Sequence, residues 1–199
     1  MPESVSRNWH SRGYLPHFDG TEVTQSITFR LADSLPRAVL ENWQREMDNL
    51  KLPELAYRIE IQKRIDRYLD NGAGSCSLQN PQIAEMVESA FFYFDRERYQ
   101  LLAWVIMPNH AHLLLSLRAE QSLSEIMQSL KSYTAHKANK ALCRKGKFWF
   151  EDYYDRYIRD SNHYLAVVRY IENNPVKARL CNSPEEWRYG SAWWNKKAR

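Results

Sequence analysis

At 199 residues and 44% apolar content, the chain can bury one sizeable core and is too short for two ordinary domains. It contains no run of 18 or more apolar residues, which excludes a transmembrane helix, and its three scattered cysteines (Cys76, Cys143, Cys181) fit neither a disulfide framework nor a structural zinc site, so a reducing cytoplasm is expected. The net charge of +4 is uneven: residues 131–199 carry 15 of the 28 Lys and Arg but 7 of the 24 Asp and Glu, a balance that favours a polyanionic partner.

The opening Met1-Pro2-Glu3-Ser4, with Arg7, Trp9 and His10 beyond it, lacks the apolar stretch of a secretory signal, and none is expected. Residues 24–31 alternate polar and apolar side chains and predict a strand. Ser34 is placed to cap a helix with Pro36 in its first turn, running to about Leu50. A charged helical segment follows Pro53, from Glu54 to about Tyr68, and Asn71-Gly72-Ala73-Gly74-Ser75 reads as a loop. Asn80 and Pro81 start a helix to about Asp95. Residues 99–107 are apolar on both faces, as in a strand covered on two sides. After the Pro108-Asn109 turn, residues 110–117 form a second strand. Ser122 with Glu125 is a capping box for a helix to about Leu142. Tyr157-Ile158-Arg159 reads as a short strand, 162–173 as a helix stopped by Asn174-Pro175, and Ser183-Pro184-Glu185-Glu186 as the start of a last short helix before a Trp-rich basic tail. The order β-α-β-β-α-β predicts an α+β, ferredoxin-like antiparallel sheet in a single domain over 1–199, with a core of about 20–160 and a helical, basic extension of about 161–199.

His110 and His112 are two residues apart on a predicted strand, so both imidazoles leave the same face. Ala111, Leu113, Leu115 and Leu117 form the other, wholly apolar face. Such a pair suits two ligands of one metal ion, or two histidines hydrogen-bonded to backbone. On the 122–142 helix, Leu123, Ile126, Met127, Leu130, Thr134, Ala138 and Ala141 make the core stripe. Tyr133 falls at its edge, flanked by His136 and Lys137, as a nucleophile with cations nearby would, or as an amphipathic boundary tyrosine would. Lys131, Lys137, Lys140, Arg144, Lys145 and Lys147 follow one another with no acid among them, either a phosphate-binding stretch or a solvated helix face.

Trp104-Val105-Ile106-Met107-Pro108-Asn109-His110-Ala111-His112-Leu113-Leu114-Leu115 resembles the histidine–hydrophobic–histidine (HUH) strand of the REP-associated tyrosine transposases, relatives of the single-tyrosine transposases of small insertion sequences. Leu130-Lys131-Ser132-Tyr133-Thr134-Ala135 resembles the segment that carries the family's nucleophile. Residues 27–36, the stretch from Phe148-Trp149 to Asp160, and Tyr170-Ile171-Glu172-Asn173-Asn174-Pro175-Val176-Lys177-Ala178 extend the likeness over nearly the whole chain. The resemblance implies that His110 and His112 bind magnesium or manganese and that Tyr133 attacks a phosphodiester of single-stranded DNA. The products would be a 5′-phosphotyrosine link and a free 3′-hydroxyl, and the step can reverse to join strands. Tyr153, Tyr154 and Tyr157, in another matched segment, stand as alternative nucleophiles. Relatives supply a third metal ligand four residues after the tyrosine. That position is Lys137, which cannot ligate when charged, so His136 is expected in its place, ahead of Asn139. Arg159 and Lys177 join the cationic run as expected DNA contacts, and Trp187, Trp193 and Trp194 are read as stacking platforms or as core.

The expected partner is hairpin-bearing single-stranded DNA of the repetitive-palindrome kind. The protein is expected in the bacterial cytoplasm with the nucleoid, as a monomer ahead of a homodimer. A domesticated, non-cleaving binder of structured DNA is the alternative function, and a water-using metal hydrolase stands third.

Overall fold

The computed structural model describes residues 9–11, 16–18 and 23–197, with backbone alone for the first two segments. The opening residues on which the signal-sequence expectation rests lie largely outside them. Two short strands, β1 (Trp9–Ser11) and β2 (Pro16–Phe18), pair with each other. The main sheet holds β3 (Thr24–Arg30), β4 (Tyr99–Ile106), β5 (His110–Leu117) and β6 (Tyr154–Tyr157) in the order β4-β5-β3-β6, all antiparallel. Together with the helices between strands, this is the ferredoxin-like α+β arrangement that the element order predicts.

Alternation decides what covers each face. One face carries Ile27 and Phe29 of β3, Trp104 and Ile106 of β4, and Ala111, Leu113 and Leu115 of β5. It packs on α3 (Pro81–Tyr93) and α4 (Leu123–Ala141) through Ile83, Val87, Phe91, Ile126, Met127 and Leu130. The other face carries Thr28, Ala103, Val105, His110, His112 and Leu114 by register. There Ala103, Val105 and Leu114 pack with Ile171, Val167 and Val168 of α5 (Ser161–Glu172). The expected C-terminal extension thus begins as a layer of the fold. Beside it, α1 (Arg37–Asn49) and α2 (Glu54–Asp70) form a helical pair between β3 and α3 with a small apolar cluster of their own, centred on Leu35, Leu40 and Ile61. Among the described residues no helix is long and apolar enough to cross a membrane.

Several local signals resolve differently from expectation. Ser34 is buried and its hydroxyl donates to the Leu31 carbonyl at 2.8 Å, so it closes the turn after β3, and Pro36 occupies the N-cap of α1. Ser122 is the N-cap of α4, yet no side-chain cap bond forms, because its hydroxyl meets Ser124 at 2.9 Å and Glu125 turns to Arg98 at 3.7 Å. Asn80 does cap α3, accepting from the Gln82 N–H at 3.0 Å. The last strand lies three residues earlier than 157–159, since Tyr154–Tyr157 is the stretch in register with Gln25–Thr28. The helix α5 ends at Glu172, just before Asn174-Pro175 as expected, but the pair does not end helical structure. It opens a further turn, α6 (Asn174–Lys177), with Pro in the first turn, where its missing N–H costs nothing. Residues 184–186 form a single 3-10 turn, and the final helix is α7 (Ser191–Lys197), inside the Trp-rich tail.

Candidate active site

His110 and His112 project from β5 into the α5/α6 side, both about 1% exposed, with ring centroids 4.8 Å apart. Each ring is held through Nδ1. For His110 the partner is the Asn109 side-chain oxygen, at 2.7 Å. The Asn109 amide nitrogen donates to the carbonyls of Leu69 (3.1 Å) and Ala73 (2.8 Å), which fixes which end of that side chain is the oxygen. His110 therefore carries its proton on Nδ1, and its Nε2 lone pair is bare. That Nε2 is buried and has no hydrogen-bond partner. The His112 Nδ1 lies 2.8 Å from the Thr28 hydroxyl, its cross-strand neighbour, and its Nε2 lies 3.1 Å from the Asn174 amide nitrogen. Asn174 is fully buried, and its own carbonyl oxygen also lacks a partner. Burial holds both imidazoles below their ordinary range, with His110 further lowered by His112 and Lys177, and His112 brought to about 3 with Lys177 adding to the effect. Both rings are neutral at physiological pH, the state in which imidazole ligates.

The site thus gathers His110 Nε2, His112 Nε2 facing the Asn174 amide nitrogen, and, on the other end of that amide, the Asn174 oxygen. His110 Nε2 and the Asn174 oxygen are buried without a hydrogen-bond partner, and such groups are costly unless a further partner satisfies them. This donor set fits a divalent cation. Among the described residues no group of three His, Cys, Asp or Glu gathers that could hold a metal ion. His136, expected as the third ligand, sits exposed on α4, across the sheet from the histidines.

Tyr133 likewise lies on the face opposite the histidine pair. It is 52% exposed and lines a groove between α3 and α4 with Ser89, Ala90, Tyr93, Phe94 and Leu130. These helices cover the Leu113 face, whereas the imidazoles leave the opposite one. The matched segment around Tyr133 instead serves packing: the Thr134 hydroxyl accepts from the Trp149 indole N–H at 2.8 Å and donates to the Leu130 carbonyl at 2.7 Å. The tyrosine beside the pair is Tyr170 of α5, its ring centroid 5.4 Å from that of His112. Its hydroxyl donates to the Asp66 carboxylate at 2.8 Å. Burial, reinforced by Asp66, raises the phenol well above its usual range, and burial pushes Asp66 up to about 6. Lys177 of α6 pairs with Asp70 at 2.8 Å and lies 5.8 Å from the Tyr170 ring centroid.

The spacing Tyr170 to Asn174 is the four-residue interval that the sequence resemblance attaches to nucleophile and third ligand. Tyr170-Ile171-Glu172-Asn173-Asn174 holds that signal, but the Asn-Pro pair reads as a helix stop and hides it. Asn109 and Thr28 fall in the matched segments, but their roles in holding the rings, like that of Asp66, depend on strand pairing and helix docking and are not read from the sequence.

The expected DNA-contacting cations divide by position. Lys177 is at the site. Lys137 and Lys140 lie exposed on α4, and Arg144, Lys145 and Lys147 follow in the loop after it. Lys131 is drawn in, donating to the Glu151 carbonyl at 2.7 Å, and burial lowers it to about 8. Lys147 pairs with the Glu151 carboxylate at 2.8 Å. Arg159 is exposed just before α5. Of the tail tryptophans, Trp187 donates to the Ile106 carbonyl at 3.0 Å and Trp194 to Glu88 at 2.9 Å, both as packing residues. Trp193 lies between Arg188 and Lys197, each 4.3 Å from its ring centroid.

Comparison with known proteins matches residues 78–174, just under half of the chain, to the family described as "Transposase IS200 like". A protein of Haemophilus influenzae described as uncharacterized is 32% identical over 95 residues, covering 37% of this chain and 52% of the relative. The chain thus spans about half the length of that relative. The solved structure of a REP-associated tyrosine transposase bound to a REP hairpin superposes with a TM-score of 0.55 at 16% identity, over 92% of this chain and 81% of that one, which establishes the shared fold.

Proposed function

We propose, from the premise that residues 78–174 are shared with the IS200-like transposases, that this protein cuts and rejoins single-stranded DNA through a covalent tyrosine link, and that the tyrosine is Tyr170. The observation that carries the reading is the meeting of Tyr170 and Asn174, one helical turn apart in the chain, with the His110–His112 pair on one face of the sheet.

His110, His112 and Asn174 would hold magnesium or manganese. Bound there, the cation would polarise the scissile phosphate and offset its growing negative charge. The Tyr170 oxygen attacks phosphorus. Its O–H bond breaks, an O–P bond forms, and the bond from phosphorus to the 3′ oxygen breaks. The departing 3′ oxygen gains a proton in place of the one the phenol loses, so the exchange balances without nucleotide hydrolysis and runs in reverse to rejoin the strand. Thr28 and Asn109 keep the rings from turning, and the sheet fixes their spacing. Lys177 supplies a cation near the attacking oxygen. The substrate class is a single strand carrying a hairpin, of the repetitive-palindrome kind. A non-cleaving binder would need no third donor, and Asn174 supports the cleaving reading over it.

The test incubates the protein with hairpin-bearing DNA, a single-stranded flank and Mn²⁺, and resolves protein–DNA adducts under denaturing conditions. Tyr170→Phe is expected to abolish the adduct and Tyr133→Phe to leave it unchanged. An adduct that survives in Tyr170→Phe overturns the assignment.

A further inference from the structure

The helix α2 lies outside the matched segment 78–174, yet it reaches the site at three points. Near its end, the Leu69 carbonyl accepts from Asn109, the residue that sets the proton on His110. Asp70 pairs with Lys177 at 2.8 Å. One turn earlier, Asp66 accepts the hydroxyl of Tyr170 at 2.8 Å, across 104 residues of sequence. The Asp66 carboxylate is itself held: its other oxygen accepts from the Gln62 amide at 2.7 Å, one helical turn back on α2. Each oxygen of Asp66 thus has one job.

We propose that Asp66 is a positioning residue for the nucleophile: it takes the hydroxyl proton of Tyr170 in a hydrogen bond, while the Asn174 amide donates to the same oxygen, and so turns the oxygen's lone pairs away from α2. A phenol hydroxyl has two in-plane orientations about its C–O bond, and a fixed acceptor selects one of them before reaction. Without it the hydroxyl can spend its time pointing its proton, and not a lone pair, at an incoming phosphate. The inference rests on the reading of Tyr170 as nucleophile and adds α2 to the working parts of the enzyme.

The experiment uses the full chain, Mn²⁺ and a hairpin-bearing single strand, and measures single-turnover adduct formation alongside equilibrium DNA binding. Asp66→Ala is expected to slow adduct formation at least ~10-fold while changing the dissociation constant by less than ~2-fold. Asp66→Asn keeps an acceptor oxygen for Tyr170, since Gln62 can reverse its amide to meet the new NH₂, and is expected to recover most of the rate. If Asp66→Ala matches or exceeds the native rate, the bond is dispensable or restraining and the proposal fails. It also fails if rate and binding fall together, or if Asp66→Asn is no faster than Asp66→Ala. Tyr170→Phe separates the two levels. An adduct persisting there overturns the nucleophile assignment and this inference with it, whereas loss there with a fast Asp66→Ala overturns this inference alone.

Discussion

Each imidazole of the pair is neutral because burial makes its protonation expensive, and that has a consequence for stability in acid. In the unfolded chain both histidines titrate near 6.5, whereas in the fold His112 is held at about 3 and His110 also well below its ordinary value. Between about 6.5 and 3 the unfolded state binds more protons at His112, so stability rises with pH and is lost as pH falls below about 6.5, at up to about 1.4 kcal/mol per pH unit for that ring, and His110 acts in the same direction. Asp66 works in the opposite sense: its folded value near 6 lies above its unfolded 3.8, so it favours the fold as pH falls through that interval. Between pH 6 and 4 Asp66 largely offsets His112, and His110 leaves the net expectation in chelator-treated buffer a loss of stability toward acid. His112→Gln retains polar contacts for Thr28 and Asn174 and cannot titrate. Urea midpoints at pH 7 and pH 5 should lie closer together in this variant than in the native chain. An equal spacing in both would remove His112 from the account.

At the scale of elements, what the sequence made legible and what it hid follow from the range of the forces involved. Strand alternation and capping are local, so β3, β4, β5 and the start of α3 at Asn80 are read from neighbouring residues, as is the shared face of His110 and His112. The choice among tyrosines is not local. Tyr133 and Tyr170 are both edge positions on amphipathic helices, and only the layer on which each helix packs separates them. The 71–75 loop shows the same dependence on distant partners. Gly74 has φ +88°, and a Cβ there would fall 2.7 Å from the Asp33 carbonyl oxygen and 2.9 Å from the Ser34 Cα, both backbone. The neighbouring Ala73 carbonyl is one of the two that orient Asn109, and through it His110. Gly74→Ala is therefore expected to cost more than ~1 kcal/mol and to weaken the thermal stabilisation conferred by Mn²⁺. Gly146, at φ +97° with nothing within 4 Å of where a Cβ would sit, is the control. Gly146→Ala should carry backbone strain alone, of about 1–2 kcal/mol, and leave the Mn²⁺ effect intact. Equal loss of that effect in both variants would break the proposed link from loop to ligand.

Over the whole molecule, residues 189–190 cover the end of the β4 edge. The β4 edge would otherwise present unpaired backbone groups, but the Ile106 N–H donates to the Tyr189 carbonyl at 2.8 Å, and Gly190 bridges Val105. Glu88 of α3, its side chain 5% exposed, anchors this wrap by accepting from Arg188 at 2.9 and 3.2 Å and from the Trp194 indole at 2.9 Å. Trp194 then packs against Phe92 and Trp104. The basic, aromatic tail that reads in sequence as a candidate DNA grip is thus partly engaged by the fold, through the partly buried Trp187 and Trp194 and the Arg188 pair with the buried Glu88 carboxylate. Glu88→Ala leaves the Trp194 N–H without its acceptor, while Arg188, 38% exposed, recovers water; the cost is roughly 1–3 kcal/mol, toward the lower end because of that solvation. The variant should melt earlier and admit trypsin at Lys196 and Lys197. Its adduct rate well below the melting point should stay within ~2-fold of native, since the His110–His112–Tyr170 cluster lies on the face away from α3. A variant that folds with native stability but no longer binds hairpin DNA would show instead that the tail is held for the substrate and not for the sheet.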